Sequence, residues 1–424
     1  MRVAHLLRKF DPAEWGGTET AIERLASGLA DEDVDSVIYA PQLPTRAVEA
    51  SAAAAPASPA GTVRRFRARV PVWGISVERK RQLVALGGNV ISFDLFGALW
   101  REPGLDVIHS HALGRLGAIG RTVARRRGLP FVLSVHGGVY DLPPAVRDQL
   151  TEPAARGLDW GRPLGLLLRA RHLFSDADAI ITCNPREAAL IQERHPGRRV
   201  MVQPHGVPAA TFAIDHRAAA RRAFPLIVNR PVLLVPGRID PTKNQAWLIG
   251  QARELIRRWP DTLLVFVGAG TDPKYTEGIR QTIAQGHLER HVFLAGPLPP
   301  RDPRLIGLFQ EARAVILASV SETFGLVILE SWAAGTPVLS SRTSGALALV
   351  KEWRNGWLFD LALPESFQHA ATQLFQDPAR ARTYGAAGKA VVAADYDTHA
   401  LARRMRQLYK ELIVEKNALR HSAR

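Results

Sequence analysis

The sequence predicts an α/β protein made of two doubly wound parallel sheets. Short apolar runs alternate with helical stretches along the whole chain, as parallel sheets with crossover helices require. The series also starts again near Pro231, after a polar, Arg-rich segment. A length of 424 residues with 46% hydrophobic and 22% charged residues is ordinary globular composition and can supply two cores.

The strand candidates of the first half are Val3–Leu7, Ser36–Tyr39, Val63–Phe66, Val107–His109, Phe131–Val135 and Ala179–Cys183. Those of the second half are Val232–Pro236, Leu263–Val267, Val292–Ala295, Ala314–Ala318 and Val338–Ser340. Helical patterns fill the gaps, for example Gln245–Arg258 and Leu326–Ala334. The run "ASAAAAPASPAG" (50–61) reads as a mobile, small-residue loop. These elements place a first domain at 1–210, a linker at 211–230 and a second domain at 231–396. The segment 397–424 reads as a C-terminal helix, patterned from Thr398 to about Glu415, that carries Leu401, Met405, Leu408 and Leu412 on one face and should pack back on the first domain. Two open sheets facing each other would leave a cleft lined by strand C-termini, where ligands of such sheets bind.

Composition narrows the function classes. The single cysteine, Cys183, excludes an intramolecular disulfide and fits a reducing compartment; within "AIITC" it reads as a buried thiol. The N-terminus "MRVAHLLRKFDP" has too short an apolar run for a signal peptide, and no stretch approaches the about 18 apolar residues of a membrane span. A cytoplasmic, peripheral-membrane-compatible protein is expected. The net charge of +15 is spread over both halves, with clusters at "RRFRARV", "ERKR" and "RRR". It reads as a solvated basic surface or as attraction to anionic lipid or another acidic partner. Nucleic acid is not expected, because no recognition motif accompanies the charge.

The chemistry gathers in four places. In "LASVSETFGLVILESWAAGTPVLSS" two carboxylates, Glu322 and Glu330, stand eight residues apart in apolar surroundings. Charges are rarely buried without partners. Glu322 falls in the loop after a strand, and the Phe324, Gly325 and Leu326 amides open a helix, pre-aimed at an anion or at hydroxyls. In "LLVPGRIDPTKNQ", Arg238 and Lys243 stand five residues apart after a strand, which suits a diphosphate. Gly16 and Gly17 in "EWGGTE" would let backbone approach a phosphate before a helix. His136 in "LSVHGG" ends a strand beside two glycines.

Taken together and in this order, these elements resemble the GT-B retaining glycosyltransferases of family 4, the glycogen synthase-like group. "SETFGLVILE" matches that family's E-x7-E pattern and "GRIDPTK" its GR-x4-K pattern, with "GGTE", "DVIHSHA", "VHG" and "ADAIITCNPREAAL" in support. The resemblance covers nearly the whole chain. It implies two Rossmann-like domains and transfer of a hexose from a nucleoside-diphosphate sugar to a hydroxyl acceptor. Arg238 and Lys243 would hold the diphosphate, Glu330 the ribose hydroxyls and Glu322 the donor sugar. The amides of Phe324, Gly325 and Leu326 would help at sugar and phosphate, Gly16 and Gly17 would approach the phosphates, and His136 would contact the donor sugar. Retention through a front-face displacement, without metal or other cofactor, is implied. Uracil is the base by family frequency, with guanine and adenine open, and the basic surface suits a lipid-linked or anionic acceptor.

The chain departs from the pattern at three points. "PHGVP" (204–208) stands where N-G-V-D is common, Ala318-Ser319 replaces Pro-Ser, and the loop 137–172 is long, basic and Trp-containing. These bear on donor-sugar and acceptor contacts. The Asp-x-Asp pairs 33–35 and 176–178 precede strands, the wrong end for a cleft, so they read as surface or capping residues and no metal is expected. "HSH" (109–111) lacks a third ligand in sequence reach; His111 reads as a cleft residue and His109 as strand packing. In "VGAGTDP" Pro273 stands where a dinucleotide fingerprint needs its third glycine, so the segment reads as a turn edging the nucleotide site. A phosphorylase or epimerase of the same architecture, or a non-catalytic sugar-nucleotide-binding protein, stands as the alternative.

Overall fold

The computed structural model describes residues 1–10, 16–42, 61–77, 79–80, 83, 90–137, 139–140 and 157–422. Of the run 50–61 only Gly61 falls among them, so the mobile-loop expectation lies outside the described residues. The chain divides into two compact units, Met1–Pro204 with His399–Arg424, and His205–Thr398.

The first unit carries β1 (Arg2–Leu6), β2 (Asp35–Gln42), β3 (Thr62–Arg67), β4 (Val72–Trp73), β5 (Leu105–Ser110), β6 (Phe131–Val135), β7 (Leu158–Asp159), β8 (Ala179–Thr182) and β9 (Val200–Val202). Seven of these form one sheet, in the order β3-β2-β1-β5-β6-β8-β9, with every pairing parallel. The remaining two, β4 and β7, pair antiparallel on their own. The central strands read "VAHL" and "FVLSV" and are buried throughout, as strands covered on both faces must be. The order reverses between β1 and β5, which makes that pair's C-terminal edge a topological switch point.

The second unit repeats the plan with β10 (Val232–Pro236), β11 (Leu263–Val267), β12 (Val292–Gly296), β13 (Ala314–Leu317), β14 (Val338–Ser341) and β15 (Trp357–Phe359). The order is β12-β11-β10-β13-β14-β15, again parallel, and it reverses between β10 and β13. Its core joins Leu233, Val235, Leu264, Phe266, Ile316 and Leu339 of the sheet to Leu248, Leu255, Phe367 and Leu374 of the covering helices.

Two boundaries differ from the sequence reading. Residues 211–230, expected to be a linker, belong to the second unit. The helix Arg217–Ala223 lies on the helix Pro303–Glu311, so close that a Cβ on Gly307 would stand 2.3 Å from the His216 carbonyl oxygen. Gln310 fastens the approach to this helix, donating to the Phe212 and Ile214 carbonyls at 3.0 and 2.7 Å and accepting from the His216 amide at 2.8 Å. Polarity here reflects a helix face toward water, not an unstructured tether. The second unit accordingly begins at His205 instead of 231.

The last helix runs Thr398–Ser422, within the expected segment and past Glu415, where its buried apolar face has ended. Leu401, Met405, Leu408 and Leu412 are buried, as are Ala402 and Tyr409. The last five of these close one core with Val3, Val107, Val132, Ala179 and Ile181 of the first sheet. A large apolar side chain buried this way contributes about 2 kcal/mol. Gln203 donates to the Leu401 carbonyl at 2.8 Å, and Lys416 pairs with Asp178 at 2.6 Å.

Candidate active site

In the second unit two loops meet at the switch point. The first follows β10: Gly237 turns the chain, and Arg238 to Asn244 lead into the helix Gln245–Arg258. A Cβ on neighbouring Gly268 would lie 2.0 Å from the Gly237 carbonyl oxygen, so this approach requires glycine. Asp240 organises the loop. It accepts from the Lys243 amide at 3.0 Å and pairs with Arg238 at 3.0 Å. Gln245 donates to the Arg238 carbonyl at 2.8 Å.

The second loop follows β13 and carries Glu322. Its carboxylate meets the Lys243 ammonium at 2.5 Å, with both side chains one-fifth exposed. The Val320 amide also donates to the Thr242 carbonyl at 2.8 Å, a second tie between the loops. Burial alone would push the Glu322 carboxyl up. Lys243, by charge and hydrogen bond, and the Gly325 and Phe324 amides outweigh it, so the group lies below its ordinary 4.5. Two of the amides expected to face a ligand are thus turned on Glu322 itself.

Gly325 takes φ +90°, a left-handed conformation that opens the helix Leu326–Ala333. Behind it a Cβ on Gly345 would stand 2.6 Å from the Phe324 backbone, so that loop is pinned from below. The Gly345 amide donates to the Glu322 carbonyl at 2.8 Å. Glu330 sits in the second turn of the helix, buried beside Ile328, Leu329 and Trp332. The structure therefore joins Lys243 to Glu322, leaves Arg238 half-exposed on Asp240, and places Glu330 one helix segment on. Sequence reasoning missed Asp240, though its place between Arg238 and Lys243 was visible. His205, one of the departures from the family pattern, packs edge-on against Phe324 at 4.8 Å between ring centroids.

In the first unit Gly16 and Gly17 begin the helix Gly17–Ala30 with ordinary negative-φ geometry at Gly16. The Gly16 amide donates to Glu19 Oε2 at 3.0 Å, and a Cβ on Gly16 would lie 2.8 Å from that oxygen. The bare position here accommodates the helix's own capping carboxylate.

His136 follows β6 and is half-buried. Its Nε2 lies 2.9 Å from His111 Nδ1. His111 Nε2 in turn lies 3.0 Å from His5 Nδ1, and His5 Nε2 lies 3.4 Å from Ser36 Oγ. The pairing of β1 with β5 sets His5 opposite His109, which supplies the third histidine that "HSH" lacked. Ring nitrogens of His5, His109 and His111 all lie within 4.8 Å of one another. His109, however, hydrogen-bonds Tyr409 Oη through Nδ1 and Ser134 Oγ through Nε2, both at 2.6 Å. A neutral imidazole has one donor and one acceptor, so both are committed and the group is built as a hydrogen-bonded network. Burial lowers His5 to about 4 and holds His109 well below the usual histidine range, helped there by nearby His5 and His136.

Three of the four Asp-x-Asp carboxylates hold structural partners. Asp35 binds Arg2 at 2.6 Å, Asp176 binds Arg121, and Asp178 accepts from the Phe131 amide at 2.8 Å as well as from Lys416. Cys183 is buried. Of the loop 137–172, residues 138 and 141–156 lie outside the described residues; the rest includes β7 and a short helix, Arg162–Leu167. Among the described residues no helix is long and apolar enough to cross a membrane.

Residues 217–391 match the family described as glycosyl transferases group 1, and residues 16–206 match the glycosyl transferase 4-like domain. A D-inositol 3-phosphate glycosyltransferase of Kribbella flavida is 30% identical over 88% of this chain and 85% of its own length. One from Acidothermus cellulolyticus is 31% identical over 66% of this chain, a match that spans only 62% of that relative. Among solved structures, Anabaena HepE in complex with UDP superposes with a TM-score of 0.71 at 17% identity, covering 97% of this chain and 100% of that one.

Proposed function

Since the chain belongs to the family 4 glycosyltransferases of GT-B fold, we propose that it transfers a hexose from a UDP-sugar to a hydroxyl acceptor, retaining anomeric configuration and using no metal. The observation that carries this reading is the Lys243–Glu322 pair, fixed across two loops at the switch point of the second sheet. Ligands of open α/β sheets bind at such a place.

Arg238 and Lys243 hold the diphosphate in this reading, and Glu330 accepts from the ribose hydroxyls. Glu322 and His136 contact the donor sugar. The Leu326 amide and the Gly16–Gly17 turn would approach sugar and phosphates, whereas the Phe324 and Gly325 amides act through Glu322, which they hold. As the bond from the anomeric carbon to the diphosphate oxygen breaks, negative charge grows on the leaving group. The acceptor oxygen forms its new bond on the same face, and the acceptor proton passes to the departing phosphate. A fixed ammonium at that oxygen lowers the barrier because it needs no reorientation as charge develops. No divalent ion is needed for that neutralisation when two side-chain cations supply it.

The relatives are named for an inositol phosphate acceptor, which together with the +15 charge supports an anionic acceptor, free or lipid-linked. The Anabaena protein is solved with UDP, which makes UDP the first nucleotide to test. The test is a thermal-shift screen with UDP, GDP, ADP and their common sugars, with and without a chelator. Selective stabilisation by UDP and a UDP-sugar, insensitive to chelation and lost in Lys243→Ala, is expected. Equal response of wild type and Lys243→Ala would overturn the site, and loss of the response on chelation would overturn metal independence.

A further inference from the structure

The network behind His136 does more than fill a core. His5, His111 and His136 come from β1, the segment after β5 and the segment after β6, and they are joined end to end at 3.0 and 2.9 Å, with Ser36 at the far end. His109 stands beside His111 at 4.1 Å between centroids and is itself held by Tyr409 and Ser134. A hydrogen bond between two neutral imidazoles needs one N–H and one lone pair. Because each middle ring has only one of each, all links must point the same way. Either His136 donates through Nε2 and the series ends with His5 donating to Ser36, or Ser36 donates and the series ends on the Nε2 lone pair of His136. Any mixed arrangement sets two lone pairs or two N–H groups face to face. The tautomer of His136 is therefore tied to rings it does not touch.

We infer that His111, backed by His5, is a positioning residue: it fixes the ring orientation and the tautomer of His136, and through them the contact of His136 with the donor sugar. With Nε2 committed to His111, Nδ1 is the ring nitrogen of His136 left for a ligand, and it is buried in the structure. Charge does not travel inward, since His5 is fully buried and resists protonation down to about 4. The network thus transmits tautomer, not charge. This inference rests on the reading of His136 as a donor-sugar contact, while the geometry of the network stands without it.

Two variants of similar size separate positioning from mere packing. Asparagine places a polar atom where histidine has Nδ1, and glutamine places one where histidine has Nε2. His111→Asn therefore keeps the link to His136 and drops that to His5, whereas His111→Gln does the reverse. Binding of UDP and of UDP-glucose is measured by calorimetry for both and for wild type, together with ring nitrogen NMR of [15N]-histidine protein. UDP affinity should stay within about twofold throughout. UDP-glucose affinity should fall about five- to tenfold in His111→Gln, the loss of one oriented hydrogen bond, and by less than about threefold in His111→Asn. His136 should show one pyrrole-type and one pyridine-type nitrogen in wild type and averaged nitrogens in His111→Gln. Equal behaviour of the two variants, in sugar-dependent affinity and in the His136 nitrogens, would overturn the inference. If wild type binds neither ligand, it is the donor reading that falls, and the ring nitrogens still decide whether His111 sets the tautomer.

Discussion

The two units place their candidate residues at the same topological position and build them in opposite ways. At the β1/β5 edge the first unit gathers hydrogen-bonded histidines, of which His5 and His109 are buried with proton affinities lowered by desolvation. At the β10/β13 edge the second unit sets charged pairs in half-buried loops, where Lys243 and two amides keep Glu322 ionised. Buried neutral networks hold geometry tightly but carry little field. Charged groups carry field but are costly to desolvate, so they sit where a ligand can replace water. Orientation in one unit and charge in the other is the division of labour this suggests.

That division can be broken most directly by Lys243→Ala. We expect kcat/KM to fall about 10²- to 10³-fold and UDP affinity about tenfold, whereas His136→Ala should leave UDP affinity nearly unchanged. Equal loss of UDP affinity in the two variants would erase the distinction.

Acidification sharpens it next. His5 takes a folded-state value of about 4 against its ordinary 6.5, so as pH falls the unfolded chain binds the proton first. The first unit's stability is full above 6.5 and is lost progressively down to about 4, by about 3 kcal/mol from His5 alone. Glu322 lies below its ordinary 4.5, so its contribution is present above 4.5 and disappears only as pH falls further. Hydrogen exchange followed from pH 7 to pH 4 should therefore loosen the first sheet before the second. Glu322→Gln should change only the more acidic part of that profile.

Gly345→Ala sets a Cβ against the Phe324 backbone and should cost about 1–3 kcal/mol, with ligand affinity suffering through the displaced Glu322 loop. Denaturant unfolding beside UDP titration would show whether both fall. Tyr409→Phe removes the hydroxyl on His109 Nδ1 and leaves a buried polar atom, at about 1–2 kcal/mol. Its effect should appear in the first unit's amide protection and not in UDP affinity.

Much of this architecture could be read from the chain. Phe131–Val135, Val232–Pro236, Leu263–Val267 and the helix Gln245–Arg258 fall where the sequence reading set them, because continuous apolar runs stop at glycine, proline or polar residues. The strands β9 and β15 were missed because three-residue elements lie below what periodicity can resolve. Arg238, Lys243 and Glu322 stood out in the sequence because two loops carry dense local patterns. Neither the Lys243–Glu322 contact nor the histidine series was legible as geometry. Each depends on strand order and register between segments far apart in the chain, such as His5 opposite His109, and no local pattern encodes that.

The return of the last helix to the first unit has a consequence for the order of synthesis. Ala402, Met405, Leu408, Tyr409 and Leu412 complete a core begun by Val3 and Val107, and Tyr409 holds His109. On the ribosome, the second unit is synthesised in full before these residues emerge. The first unit must wait with one flank of its sheet uncovered until residues 402–412 have been made. Synthesis of the helix Thr398–Ser422, not completion of the N-terminal half, is then the event that sets the histidines in place, and fragments ending before residue 399 should be clients of chaperones.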